Sequence, residues 1–245
     1  MQLEGRTAVI TGASRGLGAG FAQVFREHGM RLALCARGEP VLAEDEAVLR
    51  RRVDVANEAE VARFAEEAAK HLGPIDLWVN NAGVLEPIAS LRDCEPDAIR
   101  RHVEINLLGV FWGTQAFVRH RRALGGGGVL LNISSGAARH PYAGWAAYCA
   151  AKAAVDRLTE VVALEEEAIG LRCLAVAPGV IDTHMQEQIR ASRPEDFPQV
   201  ERFREMKAQE SFNTPRFVAE HLLAMAFDPQ ADPGEVVARL PDEKA

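Results

Sequence analysis

The sequence predicts an α/β protein folded as a single domain, residues 1–245, around a doubly wound parallel sheet with helices on both faces. Three observations carry this. Short runs of branched apolar residues recur along the chain between longer stretches of helical period, the alternation of a strand-helix repeat. The runs are apolar at every position instead of every second one, as strands are when helices cover both sides of a sheet. Finally, 245 residues, 48% of them hydrophobic, suffice for one large core and are few for two.

Taken in order, "TAVIT" at 7 is the first strand, and the glycine-rich "TGASRGLG" turns it into a helix over 17–28. "RLALCA" at 31 is the second strand. The stretch from Gly38 to Arg50 is too short for a crossover helix with comfortable loops, and "AVLRRRVDV" supplies a third strand ending near Val53. A helix over 58–71 leads to "IDLWVN" at 75, and one long helix over 97–122 leads to "GGVLLNIS" at 127. A helix over 147–167 precedes "LRCLAVAP" at 171, and a helix over 215–227 precedes a last strand in "GEVVARL" at 234. Between them, 181–212 carries Met185, Phe197, Phe203 and Met206 among charged residues, a pattern suited to a mobile helical cover.

Charge and cysteine usage exclude several classes. With 28 Lys and Arg against 35 Asp and Glu the formal charge is −7, which repels nucleic acid and acidic membrane surfaces. Arg119, His120, Arg121 and Arg122 form a basic cluster, but at the end of a helix, where cations favour the carbonyl end of the dipole. Cys35, Cys94, Cys149 and Cys173 show no metal or redox spacing and the seven histidines are dispersed, so neither a disulfide framework nor a metal site is expected. No run approaches the roughly 18 apolar residues of a membrane helix, and Glu4 and Arg6 interrupt the first segment; the expected compartment is cytoplasmic.

Two motifs carry chemistry. The glycine turn stands where a phosphate-cradling turn must, since glycines let backbone amides approach an anion and the helix N-terminus adds amides and a favourable dipole. "GASRG" also fits the Gly-x-Ser-x-Gly elbow of hydrolases with Ser14 as nucleophile, but that elbow needs an oxyanion amide from an earlier loop and only eleven residues precede Gly12. In "GWAAYCAAK", Tyr148 and Lys152 are four residues apart, so a helix stacks them on one face, where a nearby ammonium lowers a phenol's pKa.

Together with "NNAG" at 80–83, Asn106 in "INLLG" and Ser135 in "NISS", these motifs resemble the short-chain dehydrogenase/reductase family over roughly residues 5–185. The resemblance implies a Rossmann-type fold and a nicotinamide cofactor. By similarity, Gly12, Ser14, Arg15, Gly16, Leu17 and Gly18 form the pyrophosphate turn. Asp54 and Val55 lie by the adenine, Asn81, Ala82 and Gly83 border the ribose, and Pro178, Gly179 and Thr183 flank the nicotinamide. The family mechanism makes Tyr148 the proton donor to a carbonyl oxygen as hydride arrives, with Lys152 lowering the phenol's pKa and bonding the nicotinamide ribose. Ser135 would bond the same oxygen, and Asn106 would hold a water linking Lys152 to solvent.

"PYAGWAAYCAAKAA", "VVALEEE" and "PGVIDTHMQ" further resemble the branch holding sepiapterin and benzil reductases, which implies reduction of one carbonyl of a vicinal dicarbonyl with NADPH. Asp182 could serve as the acid that holds a pterin, although His184 stands where such an acid is first sought. The C-terminus departs from that of tetrameric relatives and favours a homodimer. Arg37, just past the second strand, replaces the acid that would accept from a ribose 2′-hydroxyl; with Arg15 it offers charge-assisted donors to a 2′-phosphate, so NADPH is the expected cofactor. The substrate, a small-molecule carbonyl compound, should meet an apolar pocket of Val84, Leu85, Tyr142, Trp145 and the segment from Ile181 to Phe212, with no arginine clamp. Oxidation of a secondary alcohol is the alternative direction, and a dinucleotide sensor without turnover the alternative class.

Overall fold

The computed structural model describes residues 2–243. Seven parallel strands form one sheet in the order β3-β2-β1-β4-β5-β6-β7. They are β1 (Thr7–Thr11), β2 (Arg31–Ala36), β3 (Val48–Arg52), β4 (Leu77–Asn80), β5 (Val129–Ile133), β6 (Arg172–Ala177) and β7 (Val237–Arg239). The helices are α1 (Gly16–Glu27), α2 (Glu58–Leu72), α3 (Pro96–Val103), α4 (Gly109–Ala123), α5 (Ala146–Glu165), α6 (His184–Ala191), α7 (Val200–Ala208) and α8 (Pro215–Phe227). Among the described residues no helix is long and apolar enough to cross a membrane.

The apolar strand runs follow from two covered faces. Alternate residues, Ala8, Ile10, Leu32, Leu34, Leu77 and Val79, pack under α1 and α8 through Phe21, Phe25, Leu222 and Leu223. The intervening Val9, Ala33, Cys35, Trp78 and Leu130 pack under α2, α4 and α5 through Phe64, Phe117 and Val162. A third cluster, joining the start of α5 to α6 and α7 and their flanks, holds Leu85, Trp145, Tyr148, Ile189, Phe197 and Phe203. No crossover helix forms between β2 and β3, as the short spacing predicts; the chain turns there through an isolated bridge between Asp45 and Val48.

Two helix expectations need correction. The single helix over 97–122 is divided by a π-helical turn, Glu104–Leu108, between α3 and α4. The helix over 147–167 ends at Glu165, and a 3₁₀ turn, Glu167–Ile169, follows before Gly170 adopts φ +67°. The basic cluster does end α4, and two of its arginines are bonded: Arg121 donates to the Ile75 and Gly127 carbonyls at 3.1 and 3.0 Å, and Arg122 pairs with buried Glu166 at 2.7 Å.

Within the core runs a buried polar chain. Trp78 Nε1 donates to Asn80 Oδ1 (2.8 Å), Asn80 Nδ2 donates to Asn132 Oδ1 (2.8 Å), and Asn132 Nδ2 donates to Thr159 Oγ1 (2.9 Å), tying β4, β5 and α5 together. Gly113 in α4 leaves room for it: an added methyl would overlap Asn80 Oδ1 and stand 2.8 Å from Trp78 Nε1. Ordinarily glycine to alanine within a helix gains about 1 kcal/mol. Here overpacking and a broken buried hydrogen bond together outweigh it, so Gly113→Ala is expected to lower stability by roughly 1–4 kcal/mol in urea unfolding.

Candidate active site

The strands' carboxyl ends share one edge, and the segments leaving them line a cleft of about 970 Å³. After β1 the glycine turn runs into α1, whose N-cap residue Arg15 makes no side-chain cap, so the first helical amides stay free for an anion. Gly12 has φ +69°, and a Cβ there would lie 2.8 Å from Ala82 Cα; one on Gly18 would lie 2.5 Å from the Gly12 carbonyl. Glycine is required at both places because the turn packs directly on the β4 exit and on itself. Thr11, which the motif reading passed over, holds the opposite wall: its hydroxyl accepts from the amides of Asn81 and Ala82, both at 3.0 Å, and Asn81 Nδ2 donates to the Thr11 carbonyl at 2.8 Å.

The structure brings nearly every expected residue to this cleft. Gly12, Ser14, Arg15, Gly16, Leu17 and Gly18 line one end with Arg37, Asp54 and Val55. Asn81, Ala82 and Gly83 line the middle, Ser135, Tyr148, Lys152, Pro178 and Gly179 the other end, and Thr183 stands against Gly16. Asp54 lends its position more than its charge: its carboxylate is held by Arg101 and accepts from the Ala56 amide at 3.1 Å. Burial acts to raise its pKa, but the Arg101 and Ala56 hydrogen bonds outweigh that and leave it below the usual carboxylate value.

Asn106 is the exception. It is fully buried in the π-helical turn and lies behind the wall of the cleft. Its Oδ1 accepts from the Val84 amide at 3.0 Å, and Nδ2 donates to the Val84 carbonyl and to His102 Nε2, both at 2.8 Å. Both hydrogens of the Asn106 amide and one lone pair of its oxygen are thus spent on Val84 and His102.

The tyrosine-lysine pair also differs from expectation. Burial pushes the Tyr148 phenol above its ordinary value, against the hydrogen bonding of Ser135 that favours the anion. Lys152 Nζ sits 5.7 Å from the phenol ring centroid and donates to the Ile133 carbonyl at 2.7 Å. Burial brings Lys152 itself down to about 8, with the Asp156 carboxylate opposing. The lysine's effect on the phenol is therefore overridden by the loss of water around both groups. Ser135 Oγ accepts from the Ala137 amide at 3.2 Å, so its own hydroxyl hydrogen is the group it turns to the Tyr148 oxygen or, in its place, to a ligand oxygen.

Beyond Tyr148 the walls are Val84, Leu85, Tyr142, Trp145, Ile181, Met185, Phe203 and Met206, as expected, but Phe197 and Phe212 are not among them. Phe197 is fully buried and stacks on Trp145 at 4.5 Å and 5°, a support for the wall. The rim is more polar than the sequence suggests: Gln186, Gln199, Arg202 and Arg239 also line the cleft. Asp182 is no ligand-holding acid, since it is paired with Arg190 at 2.9 Å and Lys207 at 2.6 Å and does not line the cleft. His184, which does, bonds Glu187 at 3.0 Å. Among the described residues no cluster could hold a metal ion.

A glycine turn open to an anion, joined to Ser135 and to buried Tyr148 and Lys152, defines a dinucleotide-dependent oxidoreductase site, and comparison with known proteins gives the family. The sequence profile described as short chain dehydrogenase matches residues 6–194. The chain is 33% identical to a benzil reductase, (S)-benzoin forming, of Bacillus subtilis over 226 residues, 89% of this chain and 91% of that one. It is 32% identical to the benzil reductase of Bacillus cereus, over 95% of this chain and 98% of that one. The crystal structure of levodione reductase superposes with a TM-score of 0.83 at 26% identity, covering 98% of this chain and 96% of that one. The chain belongs to the short-chain dehydrogenase family and lies near its benzil reductase branch; it is an oxidoreductase that uses a nicotinamide dinucleotide.

Lys152 is the costliest group in the site. The unfolded chain keeps its proton to about pH 10.4, whereas the folded site releases it near 8, so the penalty of burying the charge is full below pH 8 and is relieved as pH rises towards 10. Lys152→Met is therefore expected to stabilise the dinucleotide-free protein at pH 7 by roughly 1–3 kcal/mol, allowing for the lost bond to Ile133. Urea unfolding of both proteins at pH 7 and pH 10 checks it, and the gap should narrow at the higher pH.

Proposed function

We propose that this protein reduces a carbonyl of an apolar ketone or vicinal dicarbonyl to an alcohol with NADPH. The observation that carries the reading is the convergence of Ser135, Tyr148 and Lys152 at the apolar end of the dinucleotide cleft, under Trp145, Leu85 and Phe203. The bound dinucleotide supplies a hydride. Tyr148, whose raised pKa keeps it protonated at neutral pH, gives its phenolic proton to the substrate oxygen. Ser135 donates to the same oxygen and stabilises the charge that gathers there. Lys152, still mostly protonated at pH 7, holds a positive charge beside the phenolate that results. The names of the two benzil reductases and of levodione reductase favour reduction and a dicarbonyl substrate.

The choice of NADPH rests on charge at the far end of the cleft. Arg15 and Arg37 both line it with exposed side chains, while Glu39, the nearest acid after β2, is turned to Arg50 at 3.6 Å. No carboxylate of the β2–β3 loop lines the cleft to accept from a 2′-hydroxyl, and two guanidinium groups offer forked donors to a phosphate. The segment 181–212, which closes the cleft through α6 and α7, acts in this reading as the substrate cover. Exposed Phe111 on α4 and Val161 and Leu164 on α5, the last 76% exposed, favour a homodimer built on these helices. The compartment in this reading is the cytoplasm.

Two variants test the reading, with benzil as probe. Tyr148→Phe should retain dinucleotide binding and lose about 100-fold to 10,000-fold in kcat, the contribution typical of general acid catalysis. A Phe variant keeping a third of the rate would assign the proton to another group. Removing a hydrogen bond to a charged group costs about 1.5–3 kcal/mol, so Arg37→Asp should weaken NADPH by more than tenfold and leave NADH little changed. The measurement is kcat/KM with both cofactors in both directions; a wild type that prefers NADH, or oxidises alcohols with NAD faster than it reduces ketones, sinks the proposal.

A further inference from the structure

His102, in the last turn of α3, is 0% exposed and does not line the cleft, yet both its ring nitrogens are engaged beside the site. Nδ1 lies 2.6 Å from the Glu86 carbonyl oxygen and Nε2 lies 2.8 Å from Asn106 Nδ2. The backbone of Val84 fixes which way the Asn106 amide faces, because its N–H must meet Oδ1 and its carbonyl must meet Nδ2. Asn106 Nδ2 can only donate and the Glu86 carbonyl can only accept, so the imidazole carries its proton on Nδ1 and keeps Nε2 bare. The ring also meets the Tyr148 ring edge to face, with centroids 6.0 Å apart at 82°. One imidazole thus ties the pocket wall, the π-helical turn and the phenol of α5.

Building on the assignment of Tyr148 as proton donor, we propose that neutral His102 is the positioning residue that clamps the Val84–Glu86 wall and Asn106 against Tyr148, and that its protonation releases the clamp and stops turnover. A proton on Nε2 would face the Asn106 amide donor to donor. Asn106 cannot turn over to accept it without mispairing both bonds to Val84. The strain passes to Val84, Leu85 and Glu86, all of which line the cleft. The groups around the ring are Lys152 and Tyr148 from α5, Glu86 after β4, and Arg101 and Glu104 beside it, the last two paired with each other at 3.3 Å. Burial first, and then the charge of Lys152, hold the ring's pKa below its ordinary 6.5 despite the Glu86 carbonyl. The acid limb of the rate therefore falls below pH 6.5, well apart from any limb set by Lys152 near 8.

The test is the pH profile of kcat for wild type, His102→Gln and His102→Phe, with NADPH and benzil, alongside NADPH dissociation constants from fluorescence. His102→Phe, which cannot bond either partner, should lose about 100-fold in kcat, the cost of a misplacement near 1 Å, with the dissociation constant within about threefold. His102→Gln restores an acceptor for Asn106 and has no proton to gain: it should run at least about tenfold faster than the Phe variant and lack the acid limb. An acid limb unchanged in His102→Gln, or a Phe variant within about threefold of wild type, overturns the proposal. Long-range nitrogen-proton spectra of the wild type give an answer that needs neither turnover nor a folded variant. They should show the Nδ1–H tautomer, with the Val84 amide and the Asn106 side-chain amide shifting as His102 titrates. The opposite tautomer, or amides that stay still, overturns it. A wild type that fails to reduce benzil but shows those coupled shifts would remove the reductase reading and uphold the clamp.

Discussion

Parallel pairing is the constraint on which the rest of this molecule depends. Because every strand runs the same way, each delivers its carboxyl end to one edge, and six successive exits place Gly12, Arg37, Asp54, Asn81, Ser135 and Pro178 around a single cleft. The order β2-β1-β4 makes β1 the point where the chain's direction of winding reverses, so the segments leaving β1 and β4 diverge and a crevice opens between them. Thr11 shows how tightly that crevice is drawn. Its hydroxyl accepts two amides of the β4 exit, and this leaves Gly12 and Gly18 so close to the opposite wall that neither tolerates a Cβ.

What could be read from the sequence follows the same logic. Groups placed by a strand end or by one helical interval were legible, because local geometry fixes them: the glycine turn, Arg37 just past β2, and Tyr148 with Lys152 one turn apart on α5. The order of the elements followed from apolar runs and spacing; the third strand, in the charged run "AVLRRRVDV", and the missing helix before it gave a weaker signal. The π-helical turn was not. Helical period shows which residues could share a face, but not that Asn106 would spend its side chain on Val84 and His102, residues brought together by packing between α3 and the β4 exit. Asp182 misled for a related reason. An acid after a Pro-Gly turn looks free in sequence, and only the fold reveals that Arg190 and Lys207 close on it. Phe197 reads as a pocket wall and proves to be the layer behind one.

The pKa directions of the pair in α5 state what the dry site costs. Taking Tyr148 and Lys152 out of water opposes ionisation of both, and at 5.7 Å from the ring the ammonium does not offset it. A phenol that resists ionisation is a poor base but a sound reservoir for a proton, which suits donation to an oxygen that becomes more basic as the reaction proceeds. The burden falls on folding, and the fold meets it with rigid support: the Trp78-Asn80-Asn132-Thr159 chain fastens α5 to the strands that carry Ser135, so the helix bearing both groups is anchored through the core.

The cover over the cleft is held by two kinds of force, and they are unequal. Asp182 makes partly exposed ion pairs with Arg190 and Lys207, each worth at most about 1 kcal/mol in water and less in salt. Against the site itself the cover is held by aromatic packing: Trp145 stacked on Phe197 at 4.5 Å and tilted against Phe203 at 5.6 Å, with Ile189 and Val200 in the same buried cluster. Such rings bury large apolar areas and gain about 0.5–1.5 kcal/mol per pair beyond it. Any displacement of α6 and α7 would have to part the Trp145 stack, only three residues from Tyr148. The footing of α6 and α7 and the seating of Tyr148 are in this way one packing problem.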